Sequence, residues 1–180
     1  VEIESLDDCP SYAGRVISKL NLRARTPDWM RERLRRSGLR AIHPVVDITN
    51  YVMLELGQPM HAFDLSRLSG AQIRVRTAKA GERIETLDGQ TRTLAPEMLV
   101  IADAERPVAI AGVMGGANSE VGSSTTTIVF ESAYFNPLSV RRTGRSLGLK
   151  TEASARFERG ADPRLPLTAM ERACALLETI

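Results

Sequence analysis

The chain has 180 residues, 43% of them hydrophobic and 26% charged, with a formal net charge of +2. That length suffices for one well-buried core or for two small lobes sharing an interface, and a single domain over residues 1–180 is the expectation. The composition excludes a low-complexity chain, no apolar run approaches the ~18 residues of a membrane span, and the small net charge excludes a strong global field.

The chain opens with Val1-Glu2-Ile3-Glu4-Ser5, without a methionine or a signal-peptide pattern, and ends at Ile180 inside a helical pattern. It therefore reads as a piece excised from a longer protein. Cys9 and Cys174 are the only cysteines and stand far apart. They indicate neither a disulfide framework nor a zinc site, and a reducing cytoplasm fits best. Positive charge is carried by 21 arginines against three lysines. The arginine fork suits phosphate, although solvated helix faces are the commoner use of such residues.

In chain order, Tyr12 to Leu20 mixes beta-branched and apolar residues like a strand. Thr26-Pro27-Asp28-Trp29 predicts a helix start, with Thr26 as N-cap and Pro27 in the first helical position. That helix places Trp29, Met30 and Leu34 on its apolar side, exposes Arg31, Arg33, Arg35 and Arg36, and stops at Gly38. A second helix is predicted over Val45 to Leu56, closed by Gly57 with Pro59 beyond. Gln58 to Phe63 then reads as connecting chain, so His61 sits beside a rigid element, where binding residues often lie.

Gln72 to Thr77, Arg83 to Leu87, Leu99 to Ala102 and Val108 to Ala111 read as short strands, with a turn at Leu87-Asp88-Gly89-Gln90. The run Gly112-Val113-Met114-Gly115-Gly116 interrupts them, and Thr126 to Phe130 resumes a strand that delivers Glu131 at its end. Helices follow over about 136–147, stopped by Gly148, and about 165–179. The fold class is α+β: short, mostly antiparallel strands in a sandwich-like arrangement with several flanking helices.

Two segments concentrate reactive side chains within apolar or small-residue surroundings: Val46 to Asp64, and Glu131 to Pro163. His61 is one of two histidines and has no second ligand at metal spacing; H-E-x-x-H is absent. It is either a hydrogen-bonded structural residue or a functional one. Glu131, between a beta-rich run and Ser132-Ala133, is expected to be partly buried and to need a donor. That donor is either an arginine in a salt bridge or a ligand hydroxyl. The glycine loop is either a simple turn or a place where a ligand approaches the backbone. It lacks the features of a P-loop or dinucleotide site. No nucleophile elbow or reactive-cysteine signature is present, so a hydrolase built on this chain would use direct water attack.

Seven motifs stand in one order: C-P-S-Y-A-G-R-V-I from Cys9, G-L-R at Gly38, V-V-D-I-T-N-Y-V-M-L-E-L-G-Q-P-M-H-A-F-D from Val45, L-D-G at Leu87, A-G-V-M-G-G from Ala111, E-S-A-Y-F-N-P from Glu131, and T-E-A-S-A-R-F-E-R-G-A-D-P from Thr151. In that order and at that spacing the chain resembles, over essentially its whole length, the beta subunit of bacterial phenylalanyl-tRNA synthetase, in the third and fourth modules that house the editing site. Ala161 stands where valine is familiar.

The resemblance implies hydrolysis of mischarged Tyr-tRNA(Phe), with no amino-acid activation and no cofactor or metal in this segment. ATP and magnesium belong to the synthetic site elsewhere in the enzyme. It implies His61 and Asn50 as catalytic residues, and Glu131, Thr49, Gly112, Thr151 and Ala153 as substrate-binding residues, with Glu131 accepting the tyrosine hydroxyl. Arg141, Arg142, Arg145 and Lys150 would steer the RNA. The implied partners are the acceptor end of tRNA(Phe), the alpha subunit and the remaining beta-subunit modules, with no membrane. The competing expectation is a non-catalytic tRNA-binding or subunit-scaffold module.

Overall fold

The computed structural model describes residues 1–180. Ten strands and five α-helices make up the chain, with two helices between β2 and β3 and three after the last strand. The strands are β1 (Glu2–Ile3), β2 (Ser11–Ser18), β3 (Met60–Asp64), β4 (Arg74–Thr77), β5 (Arg83–Glu85), β6 (Thr91–Thr93), β7 (Leu99–Ala102), β8 (Pro107–Ile110), β9 (Met114–Gly115) and β10 (Thr127–Tyr134). The helices are α1 (Asp28–Arg36), α2 (Pro44–Leu56), α3 (Pro137–Ser146), α4 (Glu152–Phe157) and α5 (Leu165–Glu178). No helix is long and apolar enough to cross a membrane. Both cysteines carry free thiols.

Three sheets result, with orders β1-β4-β7-β8-β9, β2-β10-β3 and β5-β6. All pairings are antiparallel except β1 with β4. This is the expected α+β class with mostly antiparallel strands.

Strand β10 is the centre of the architecture. It pairs along its whole length with β2 and over Ile128 to Ser132 with β3. Side chains alternate across a strand, so Ile128 and Phe130 face one way while Val129, Glu131 and Ala133 face the other. Ile128 and Phe130 join a buried cluster with Met30 and Leu34 of α1, Ile48 and Val52 of α2, and Met170 and Ala173 of α5. Val129 and Ala133 join a second cluster with Phe63 of β3 and with Val75, Val100, Ile101 and Val108 of the five-stranded sheet. The strand thus has a helical layer on one face and a second sheet on the other.

The predicted stop at Gly57 and the helix predicted from about residue 136 are both present. Gly57 closes α2 in the left-handed conformation (φ 76) and its N–H bonds the Met53 carbonyl. Asn136 caps α3 by accepting from the Leu138 N–H, with Pro137 in the first turn. Other expectations are corrected. Thr26 does not cap α1; Pro27 occupies that position without a side-chain bond. The Thr26 hydroxyl instead donates to the Asp47 carboxylate, which also accepts from the Ile42 N–H at 2.8 Å. Trp29 is 44% exposed, edge-on to Tyr51 with the Arg33 guanidinium over its ring, rather than in the core.

Asp47 is almost wholly buried and ties the start of α2 to the chain before α1. Removing its carboxylate leaves the buried Thr26 hydroxyl without its acceptor and frees the Ile42 N–H. Asp47→Ala is therefore expected to lower unfolding free energy by about 2–4 kcal/mol, measured by urea denaturation; a loss below about 0.5 kcal/mol would contradict the role.

Candidate functional site

His61 lies within β3 and not on connecting chain, because Met60 to Asp64 pairs with β10. Glu131 lies in the middle of β10 and not at its end, since pairing with β2 continues through Tyr134. The two residues are direct cross-strand partners and so share a face. On the other side of β10, Gly14 is opposite Glu131 and Tyr12 is opposite Ala133. Tyr12, His61 and Glu131 therefore project together into the space between the sheets.

That space contains a cavity of about 70 Å³, room for a handful of waters or one side-chain-sized group. His61, Glu131, Gly112 and Ala153 line it, with Met60 and Met114 among its apolar walls. A larger groove of about 460 Å³ lies elsewhere, between the end of β2 and α5. We favour the smaller cavity because it gathers a buried carboxyl and an imidazole with shifted proton affinities.

Two glycines shape it. Gly112 has φ +68, and a Cβ there would lie 2.9 Å from Val140 Cγ2 and 3.1 Å from the Phe135 and Phe157 rings. The backbone is thus pressed under the edge-to-face pair Phe135–Phe157. A Cβ at Gly115 would stand 2.5 Å from His61 Cε1, so only glycine lets the imidazole seat against β9. The loop contains a short strand, β9, and its Gly112 and Gly115 line the cavity.

The helix α4, too short to be read from periodicity, closes the remaining side. Thr151 caps it in a reciprocal box with Ser154, while its hydroxyl also donates to the Val113 carbonyl at 2.8 Å. The cap is thereby fastened to the glycine loop, and Ala153 is presented to the cavity.

Thr49 and Asn50 sit on α2, outside the lining of this cavity. The Thr49 hydroxyl donates to the Val46 carbonyl of its own helix at 2.8 Å. Arg141, Arg145 and Lys150 line a separate groove of about 530 Å³ with Arg159 and Glu158. Arg142 is exposed nearby on α3 and does not line it. His43 is the N-cap of α2, its Nδ1 accepting from the Val45 N–H, which gives the second histidine a structural role.

The donor to Glu131 is neither arginine nor a salt-bridge partner: the Tyr12 hydroxyl donates to Oε2 at 2.7 Å. Burial raises the Glu131 carboxyl from 4.5 to about 7, against the opposing pull of that hydrogen bond. Burial also lowers His61 from 6.5 to about 4. Its Nε2 is buried without a hydrogen-bond partner, and its ring meets Phe63 edge-on. At neutral pH the imidazole is uncharged while the carboxyl is near its midpoint. No cluster of metal-binding residues is present.

Tyr12 and Gly115 are the lining or supporting residues that motif reasoning did not single out. The alternation in Ser11–Ser18 places Tyr12 and Gly14 on one face, but only the pairing of β2 with β10 shows what that face meets.

This geometry and its fold define a B3/4 domain: residues 8–180 match that family, and the chain belongs to it. The chain is similar to the phenylalanine-tRNA ligase beta subunit of Legionella pneumophila (strain Lens), at 58% identity over 96% of the chain, and to that of Dickeya dadantii, at 54% over 98%. The Protochlamydia amoebophila subunit is 49% identical over the full chain. The chain spans 22% of the length of each of these relatives. In fold it resembles an N-terminal fragment of the phenylalanyl-tRNA synthetase beta subunit from Pyrococcus horikoshii, with TM-score 0.53 and 13% identity, over 84% of this chain and 47% of that one.

The opposed proton affinities of Glu131 and His61 give a signed prediction. Folding retains a proton on Glu131 that the unfolded chain releases, so its contribution falls as pH rises from about 4.5 through 7. His61 runs the other way: its contribution is full above about 6.5 and is lost as pH falls through 4. Relative to the parent chain, the stability of Glu131→Gln should rise with pH between about 4.5 and 7, whereas that of His61→Gln should fall as pH rises from about 4 to 6.5. Urea denaturation across pH checks both; parallel, flat differences would contradict the assignment.

Proposed function

We propose that this chain is an editing domain that hydrolyses a tyrosyl ester mistakenly attached to tRNA(Phe). The observation that carries this reading is a buried carboxylate and a neutral imidazole paired across β3 and β10 at the wall of a side-chain-sized cavity.

Tyrosine exceeds phenylalanine by one hydroxyl, an addition that an apolar synthetic pocket excludes weakly. A second pocket that requires the hydroxyl separates the two. No protein donor reaches Glu131 Oε1, and a tyrosine phenol would supply one. A phenylalanyl ring would leave Glu131 Oε1 desolvated without a donor, at about 1–3 kcal/mol. Small Ala153 and unsubstituted Gly112 leave width for the ring, while Thr151 holds α4 against the loop. The flexible Met60 and Met114 side chains adjust the walls at low cost.

Water then attacks the ester carbonyl carbon, the bond to the terminal ribose oxygen breaks, and that oxygen leaves with a proton. With a proton affinity near 4, His61 is better suited to orient water through Nε2 than to hold its proton. Asn50 and Thr49, outside the cavity lining, would act on the ribose side. A ribose hydroxyl assisting the water fits the same geometry. The groove of Arg141, Arg145, Lys150 and Arg159, with one carboxylate at Glu158, carries none of the chain's ion pairs and, with Arg142, offers the acceptor-end phosphates an excess of positive charge. The chain would work in the cytoplasm within a beta subunit joined to an alpha subunit. Activation with ATP and magnesium would occur there outside this domain.

Deacylation of preformed Tyr-tRNA(Phe) and Phe-tRNA(Phe) tests this. The chain should clear the tyrosyl ester selectively, with the ratio of kcat/KM values rising with pH through about 7 as Glu131 ionises. Glu131→Gln should flatten that ratio, and Ala153→Trp should abolish hydrolysis by filling the slot. Equal clearance of both esters, or normal editing by Ala153→Trp, would overturn the reading. A folded chain that binds tRNA without hydrolysis would instead establish the scaffold alternative.

A further inference from the structure

Glu131 meets three ionisable side chains from the elements around it: Tyr12 on β2, Cys9 just before β2 and His61 on β3. The residues lining the other walls, from Ala109 to Gly115 and at Phe135, Ala153 and Phe157, have no ionisable side chain. Of the three, only Tyr12 bonds the carboxyl. Cys9 spends its thiol on the Ser11 carbonyl at 3.6 Å, and burial pushes that thiol up to about 12. His61 makes no hydrogen bond through Nε2.

The sheet makes the Tyr12 bond possible. Tyr12 is opposite Ala133, two residues along β10 from Glu131, so its ring must cross the strand diagonally. The residue directly opposite Glu131 is Gly14, and a Cβ there would lie 3.6 Å from Tyr12 Cε1. The ring therefore lies over the glycine, its hydroxyl meeting Oε2 at 2.7 Å. Neighbouring Ser132 points to the other face of the sheet with its hydroxyl unpaired and cannot substitute.

We propose that Tyr12 is a positioning residue for Glu131: its hydroxyl occupies Oε2 and holds the carboxylate so that Oε1 alone faces the cavity as the acceptor for an incoming phenol. The assignment rests on the reading of the cavity as a tyrosine-selective site and extends it to a residue that touches no substrate. An internal phenol and a substrate phenol then share one carboxylate, each on its own oxygen. Without Tyr12, either oxygen can turn to either side. The carboxyl also loses the one hydrogen bond that favours its ionised form.

The test follows the Glu131 carboxyl directly, by carbon NMR of the chain labelled at glutamate Cδ, with Glu131→Gln identifying the resonance. In Tyr12→Phe the titration midpoint should move up from about 7 by about one pH unit. Replacement of Tyr12 by 3-fluorotyrosine, whose more acidic hydroxyl donates more strongly, should move it down. A residue that merely fills space would not move the midpoint in opposite directions. Tyrosine selectivity of Tyr12→Phe at pH 7 should fall about fivefold and recover as pH is raised.

An unmoved midpoint in Tyr12→Phe, in a chain that still selects tyrosyl ester, would overturn the positioning role and leave the editing reading intact. Midpoints that move as described, in a chain that never discriminates tyrosine from phenylalanine, would support the positioning role and defeat the editing reading.

Discussion

The structure depends on the two-faced burial of β10. A strand buried on both sides must place every second residue in a different environment, and a register slip of one would exchange them. Here one face supplies Ile128 and Phe130 to the helical layer, and the other supplies Val129 and Ala133 to the space between sheets. Glu131 falls on the second face, flanked on both sides by paired strands. Its burial is therefore imposed by the same alternation that builds the core. A carboxyl forced into that position carries its desolvation cost with it.

The surroundings concentrate further departures from full satisfaction. His61 Nε2, Ser132 Oγ and Gln58 Oε1 are all buried without partners, and all lie on β3, on its approach or on β10. The Gln58 amide nitrogen is by contrast fully used, on the carbonyls of Pro59 and Ala133. Interiors rarely leave polar atoms unpaired; of these three only His61 lines the cavity, where a ligand can complete its bonding. The glycine at 115 belongs to the same economy of space, since any side chain there would evict the imidazole.

Much of this was legible in the sequence where the determining interaction is local. Gly57, Gly148 and the Leu87–Gln90 turn announce element ends through backbone preferences that short windows reveal. Thr26 misleads because a buried carboxylate 21 residues away claims its hydroxyl. His61 looks like connecting chain because Gly57 and Pro59 precede it, and only pairing with β10 makes its segment a strand. Helix α4 is six residues long, less than two turns, so no apolar period develops. The motifs identified His61, Glu131, Gly112 and Ala153, which the fold gathers around one cavity. Tyr12 escaped because its importance arises wholly from cross-strand geometry.

The central claim is that Glu131 recognises a phenol from inside the cavity. The most direct measurement is a crystal structure of the chain with a nonhydrolysable tyrosyl-adenosine mimic. The account predicts the ring between Gly112 and Ala153, with its hydroxyl within ~2.5–3.0 Å of Glu131 Oε1 and Tyr12 still bonded to Oε2. A mimic bound with its phenol away from Glu131, or seated in the groove between β2 and α5, would contradict it.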